Sequence, residues 1–365
     1  MPLYLPANFI STRVIETHGL RYCIMIGSLL MLFGSSIRLF ALFGSFYPVF
    51  FGHILSLSGQ AFLKNPVSKL ATNWFGDKER GLATGIGIMS GPSGILISKI
   101  LIMSTMKDTD ILVENRDVAR QHYELFIILN AIIVTIMVVP SLFLIKDQPP
   151  SPPSIVATKP RPNYTFMEAA RVIFTNSNYL WIFIHFQLVN TVSIYGGEIT
   201  TFLSPYPQYH LLEQNLASML NCIASIAGSL YLGKIIDKYR CMKKAAFIQP
   251  IVISGFIVLT YILLIYESPV YLVIAVIVLA GAPISTVSVV SYQFVAEVTY
   301  PVNEVFGAGI MNTVNKLFTF IVVLISSEIG SNSALIFWAI LCIFGVFPAF
   351  FVKEDFKRLN MKEVK

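Results

Sequence analysis

The sequence is short of charge. Asp, Glu, Lys and Arg together make up 13% of its 365 residues, where an average soluble domain carries about 25%. A chain this poor in charge cannot clothe a water-facing surface, which excludes an ordinary soluble enzyme. Its 55% apolar content excludes disorder. Cysteine is scarce too. Cys23, Cys222, Cys241 and Cys342 stand far apart, with no Cys-x-x-Cys pair and no zinc spacing. They read as packing residues, not as a disulfide framework or a metal site. The five histidines are equally scattered. There is no nucleophile elbow, Walker loop or ligand cluster. An enzyme, a cofactor, a metal and a nucleic-acid partner are therefore not expected. The first ten residues lack a basic region ahead of their apolar stretch, so they do not read as a signal peptide.

What is present is long runs of apolar sequence, with a mean hydropathy of +0.70. Residues 22–37, 125–145, 172–197, 268–296 and 329–352 contain no charged side chain. Runs of this length, without period-two alternation, are helices, because in lipid only a helix or a closed barrel satisfies its own backbone. At about 20 residues per span, the expected fold class is an all-α polytopic membrane protein with eleven spans. They are placed near 1–16, 22–43, 47–72, 80–105, 122–145, 178–202, 213–236, 244–266, 269–298, 304–327 and 333–353. Basic residues then set the sides. One set of loops holds Arg13, Arg21, Lys78, Arg80, Lys146, Lys159, Arg161, Arg171, Lys234, Lys238, Arg240, Lys243 and Lys244, while the other holds only Arg38, Lys107, Arg116 and Arg120. The first side is expected to be cytoplasmic. The sequon at Asn163 falls on that side and is read as a chance match.

Residues 146–167 are rich in Pro, Lys and Arg, which suits an extended connector. The expected organisation is an N-terminal helical half (1–145), a connector (146–177), a C-terminal half (178–353) and a basic tail (354–365). Each half carries a short charged loop motif. Glu16, Gly19 and Arg21 follow the first span, and Gly233, Asp237 and Arg240 follow a later one. Both place a carboxylate at a helix end before a turn with basic residues. That arrangement can hold two helix ends together and release them.

The paired loops resemble the motif of the major facilitator superfamily, where it lies between helices 2 and 3 and again between 8 and 9. The first copy here lacks the leading Gly. Trp74-Phe75, followed by Glu79-Arg80-Gly81, adds to the resemblance. On this register the spans would be helices 2 to 12, and helix 1 is expected to be missing. Within the superfamily the chain resembles the feline leukaemia virus subgroup C receptor family. The residues that carry this run from Tyr292, Gln293 and Phe294 through Glu297 and Pro301 to Glu304, Gly309 and Asn312. Pro149 to Ser154, the Gly228 to Gly233 run and the Trp74 motif add to it.

The resemblance implies a monomeric, multi-pass transporter of the plasma membrane or an organelle, working by alternating access. Its substrate would be choline, ethanolamine or haem. In choline-transporting members a helix 1 Trp and a helix 7 Tyr cage the ammonium, assisted by Gln on helices 5 and 11. Here the Tyr matches Tyr195, the two Gln positions fall at Pro92 and Lys316, and the Trp has no counterpart. These departures keep open another, possibly anionic, small solute and a reduced, non-transporting protein.

Charge at membrane depth costs about 2.5–3.5 kcal/mol on insertion scales and usually faces a cavity or a partner. Lys316 is mid-span. Glu198 lies three residues after Tyr195, so on an unbroken helix both share a face. An ion pair between Glu198 and Lys316 beside a central site is expected, either structural or opening to bind substrate. Gln60 is a further polar candidate. Lys64, Lys69 and Lys99 are expected to snorkel, and Glu297 and Glu304 to belong to the loop signature.

Overall fold

The computed structural model describes residues 4–76, 79–106, 116–150, 166–300, 302 and 304–353. Asp77, Lys78, Lys107, Lys159, Arg161, the Asn163 sequon and the 354–365 tail lie outside them. Of Glu304 only the backbone is described.

The described residues are helical, with no strand among them. Eight helices are long and apolar enough to cross a membrane. In chain order the helices are α1 (Tyr4–Thr17), α2 (Gly19–Leu39), α3 (Tyr47–Lys64), α4 (Pro66–Trp74), α5 (Arg80–Thr105) and α6 (Arg116–Leu144). Then come α7 (Phe166–Phe174), α8 (Ser177–Asn190), α9 (Ile194–Gly197), α10 (Ile199–Leu203) and α11 (Leu211–Tyr239). The chain continues with α12 (Met242–Ile265), α13 (Val270–Val298), α14 (Glu304–Ile329), α15 (Ser331–Phe344) and α16 (Val346–Phe351). The spans missing from the eight are those built in pieces or entered late: α1, α3 continued by α4, and α8 continued by α9 and α10.

The breaks have local causes. Pro66 cannot donate to the turn before it, so α3 ends at Lys64 and α4 restarts at a kink. Asn65 at that kink donates to Ser11 Oγ of α1 at 2.5 Å. The helix expected over 178–202 winds into a 3-10 turn at Thr191–Ser193 and breaks again at Glu198, just after Gly196 and Gly197. A 3-10 segment inside a longer helix changes which side chains share a face. The end of the expected connector is helical: α7 docks Ala169 and Ile173 into the core.

The most extensive packing joins α2 to α3, α5 to α11 and α11 to α13. Helices before and after the connector meet at two crossings, α1 on α14 and α5 on α11, with α4 and α5 adding contacts to α14 and α13. At the α5–α11 crossing the backbones nearly touch. A Cβ on Gly81 would lie 2.7 Å from the Gly233 carbonyl oxygen, and one on Gly85 would lie 2.6 Å from that of Ser229. Small residues every fourth position permit this approach in membranes. The larger apolar cores lie after the connector, around Tyr195, Ile253, Ile277 and Leu335 and around Tyr179, Phe186, Phe294 and Met311.

Candidate functional site

The loop motifs come first, because they join the two sets of helices. Asp237, near the C-terminal end of α11, accepts from the backbone N–H of Gly81 at 2.7 Å and of Leu82 at 2.9 Å. Those N–H groups belong to the first turn of α5, where a carboxylate satisfies orphan donors and meets the positive end of the helix dipole. Gln293 of α13 holds the same turn, donating to Arg80 O at 3.2 Å and Thr84 Oγ1 at 2.7 Å. Gly233 supplies the close approach. Arg240 ends α11 in the left-handed conformation, at φ +50°. Glu297 is buried near the end of α13.

The first motif is built differently. Gly19 turns the chain from α1 into α2 at φ +93°, a conformation that suits glycine. The backbone N–H of Arg21 donates to Asp147 Oδ1 at 2.8 Å, so the carboxylate at this corner comes from the connector. Glu16 does not take that part, and its Oε1 is buried without a partner. The crossing above it matches the other one. Asn8, Thr12 and Glu16 recur at the four-residue spacing of Ser229, Gly233 and Asp237, and Thr12 meets Gly309 as Gly233 meets Gly81. Asn8 donates to Gly309 O at 3.1 Å and to Thr313 Oγ1. However, α14 begins a full turn before Gly309, whereas α5 begins one residue before Gly81.

After the connector, amides and hydroxyls also bond helix to helix. Where α8 breaks, Asn190 donates to Asn315 Oδ1 at 2.9 Å and accepts from Ser288 at 2.8 Å. Asn315 donates to Thr191 Oγ1 at 3.1 Å. Gln187 donates to Met311 O at 3.2 Å, and Tyr292 donates to Asn312 Oδ1 at 2.8 Å. Sequence reasoning missed this set, because single Asn and Thr residues in separate spans carry no signal until the helices are brought together.

The charged candidates fall in two places, and the expected Glu198–Lys316 pair is not formed. Glu198 lies level with Val323 and Ser326 of α14, about two turns along that helix from Lys316. Glu198 accepts from Thr201 Oγ1 at 2.7 Å and lines a side cavity of about 270 Å³ with Phe202, Ser326, Ser331 and Trp338. Lys316 instead lies over the Tyr4 ring, 5.9 Å from its centroid. Lys64 is within electrostatic range of Lys316. Lys64 is half-buried at the C-terminal end of α3. Lys69 also turns inward, donating to Ile15 O at 2.8 Å.

Tyr195 is a core residue here, not a wall of an open site. It is 0% exposed, stacks on Phe202 with centroids 5.2 Å apart, and shares a 2.8 Å hydrogen bond with Thr260. Gln60 lies on α3 one turn before Lys64, half-buried. Pro92 is half-buried inside α5, well along the helix from the Asp237 contact. Among the described residues no group of His, Cys, Asp and Glu is arranged to hold a metal.

The profile of the Major Facilitator Superfamily matches residues 3–323. The choline/ethanolamine transporter FLVCR1 of Felis catus is 23% identical over 99% of this chain and 66% of its own length. The choline/ethanolamine transporter flvcr2a of Danio rerio is 22% identical over 98% of this chain and 77% of its own. The chain thus spans about two thirds to three quarters of these curated relatives. Among solved structures, the transporter FucP in its outward conformation superposes with a TM-score of 0.71 at 13% identity, covering 97% of this chain and 87% of that one.

Proposed function

The chain belongs to the major facilitator superfamily, a family of membrane transporters rather than enzymes, and from that premise we propose that it carries a small polar organic solute by alternating access. The observation that carries this reading is the polar cluster at the α8 break, where Asn190, Asn315, Thr191 and Ser288 share hydrogen bonds between helices. Transporter sites are typically built near the bilayer midplane from interrupted helices. The Asp237 cap on α5 supplies the second requirement, a bond across the two helix sets that can be made in one state and broken in another.

The relatives' names put choline and ethanolamine first among solutes to test, with haem as the family's other implied cargo. Lys316, Gln60 and Pro92 are the sequence-derived positions retained as solute contacts. Glu16, Gly19, Arg21, Gly233, Asp237, Arg240, Glu297 and Glu304 belong to the gating ends. The protein works as a monomer in the plasma membrane, with the basic ends of the helices, the connector and the tail in the cytoplasm.

The experiment is uptake of labelled choline, ethanolamine and haem into liposomes holding the purified chain. Saturable uptake of one of them, lowered at least tenfold by Asn190→Ala, is the expected result. Uptake equal to that of empty liposomes for all three would remove these substrates.

A further inference from the structure

We infer that the side cavity at Glu198 is a binding site for a small primary ammonium group, separate from the polar cluster at Asn190.

The cavity of about 270 Å³ is walled by α9 and α10, the last two turns of α14 and the start of α15. It sits at the end of the bundle away from the connector, since α8 starts just after the connector and leads through α9 to α10. Val323 on its wall is eight residues past Asn315, about 12 Å further along α14 at 1.5 Å per residue. Two bonds between elements hold the walls. Tyr206, in the loop after α10, donates to Asn332 Oδ1 of α15 at 2.7 Å. Trp338 Nε1 of α15 donates to Ser326 Oγ of α14 at 2.9 Å.

The wall is rich in acceptors and carries one charge. Among the described residues Glu198 is the one charged side chain that lines the cavity, and it has no ion-pair partner. Most hydroxyl protons are already committed. Thr201 donates to Glu198 Oε2, Ser326 to Val322 O at 2.7 Å and Ser327 to Leu324 O at 2.7 Å. Ser331 keeps an uncommitted hydroxyl. Phe202 and Trp338, both buried, supply apolar surface.

A carboxylate near membrane depth normally faces a partner or an aqueous path, and here the partner has to enter the cavity. A primary ammonium brings three N–H donors, as a lysine head does, for a carboxylate oxygen and hydroxyl lone pairs. A quaternary ammonium brings none. Calcium takes about six to eight oxygen ligands, more than one carboxylate and a few hydroxyls supply. Drug-sized ligands fill about 300–1,000 Å³, so this smaller cavity suits an amine of few heavy atoms. The N-terminus of α15 at the rim favours the opposite sign. A helix end amounts to about half a unit charge, against the full charge of Glu198, and no basic side chain lines the cavity.

Binding tests this. Ethylammonium, tetramethylammonium and sodium chlorides, matched in ionic strength, are added to the purified full-length chain in detergent. Ethylammonium is expected to raise the melting temperature and change the Trp338 fluorescence at a concentration at least tenfold below tetramethylammonium, with sodium doing neither. Trp181→Phe, outside the cavity, keeps the fluorescence change. Glu198→Gln, which leaves an oxygen for Thr201 but no charge, should abolish both responses, and Gly94→Ala should keep them. Equal responses to ethylammonium and either other cation, or a full response in Glu198→Gln, would overturn the site. If that variant does not fold, an unweakened response in Ser331→Ala overturns it instead. The ammonium can be free or a lipid headgroup. In phosphatidylglycerol liposomes the amine should act as in detergent, and no response there would also overturn the site. A response lost only in phosphatidylethanolamine liposomes identifies the headgroup as a second occupant. These readouts do not depend on uptake, so failed transport leaves the site standing and a failed site leaves the transport reading standing.

Discussion

Asp237 of α11 caps α5 through two backbone bonds, 2.7 Å to Gly81 and 2.9 Å to Leu82. The bond joins a helix after the connector to one before it, at the end of the bundle rich in basic residues. Hydrogen bonds to a charged group contribute about 1.5–3 kcal/mol. Asp237→Asn keeps the shape and removes the charge. It should release this end of the bundle, and a shift of about 1.4 kcal/mol is a tenfold change in population. Alkylation of a cysteine placed at Ser229, which is fully buried at the same crossing, should then speed up about tenfold. An unchanged rate would show that the cap does not hold the two helix sets.

The crossing itself should tolerate no bulk. The Cβ of any residue at Gly85 would lie 2.6 Å from the Ser229 carbonyl oxygen, and backbone cannot step aside as a flexible side chain can. Gly85→Val is expected to destabilise the packed state by about 1–3 kcal/mol, the usual cost of overpacking. A lowered melting temperature in detergent, with loss of uptake, is the measurement. Gly94, beside which nothing lies within 4 Å, is the matched position where Gly→Ala should be neutral or nearly so.

Gly19 is constrained in a different way. At φ +93° a side chain is strained, by about 1–2 kcal/mol for the left-handed region, and its Cβ would also meet Asp147 Oδ1 at 2.5 Å. Gly19→Ala should lower the melting temperature more than Asp147→Ala, which loses the bond to Arg21 but leaves the turn intact. The reverse order would mean that the connector tether matters more than the turn.

Tyr195 separates core from site. Tyr195→Phe removes the 2.8 Å bond to Thr260, a loss of about 1 kcal/mol of stability, and should leave the apparent KM of uptake where it was. Tyr195→Ala empties a fully buried aromatic volume and should cost about 3–5 kcal/mol. A large rise in KM for the Phe variant, with stability unchanged, would return Tyr195 to the solute path.

The spans are legible in the sequence because lipid imposes charge-free runs of fixed length. Asp237 is legible because a carboxylate before a basic turn is a local pattern, and its partner, a helix N-terminus, is generic. The absence of a Glu198–Lys316 pair is not legible, because a spacing rule reads one helix, and the level of Glu198 against Val323 and Ser326 depends on how two distant spans pack. Lys64 reads as a snorkelling residue because its burial depends on which helices pack around the end of α3. Asp147, Tyr4 and the Asn190–Asn315 bond are contacts between distant segments, and no local spacing announces them.

The central claim is carriage by alternating access at the polar cluster where α8 breaks, and counterflow tests it most directly. Liposomes holding the purified chain are loaded with an excess of unlabelled solute, and entry of a trace of the same labelled solute is followed. A carrier that must return its site gives faster, transient accumulation when the inside is loaded, and Asn190→Ala should reduce it. Entry at the same rate with and without internal solute, or no greater than in empty liposomes, would contradict the account.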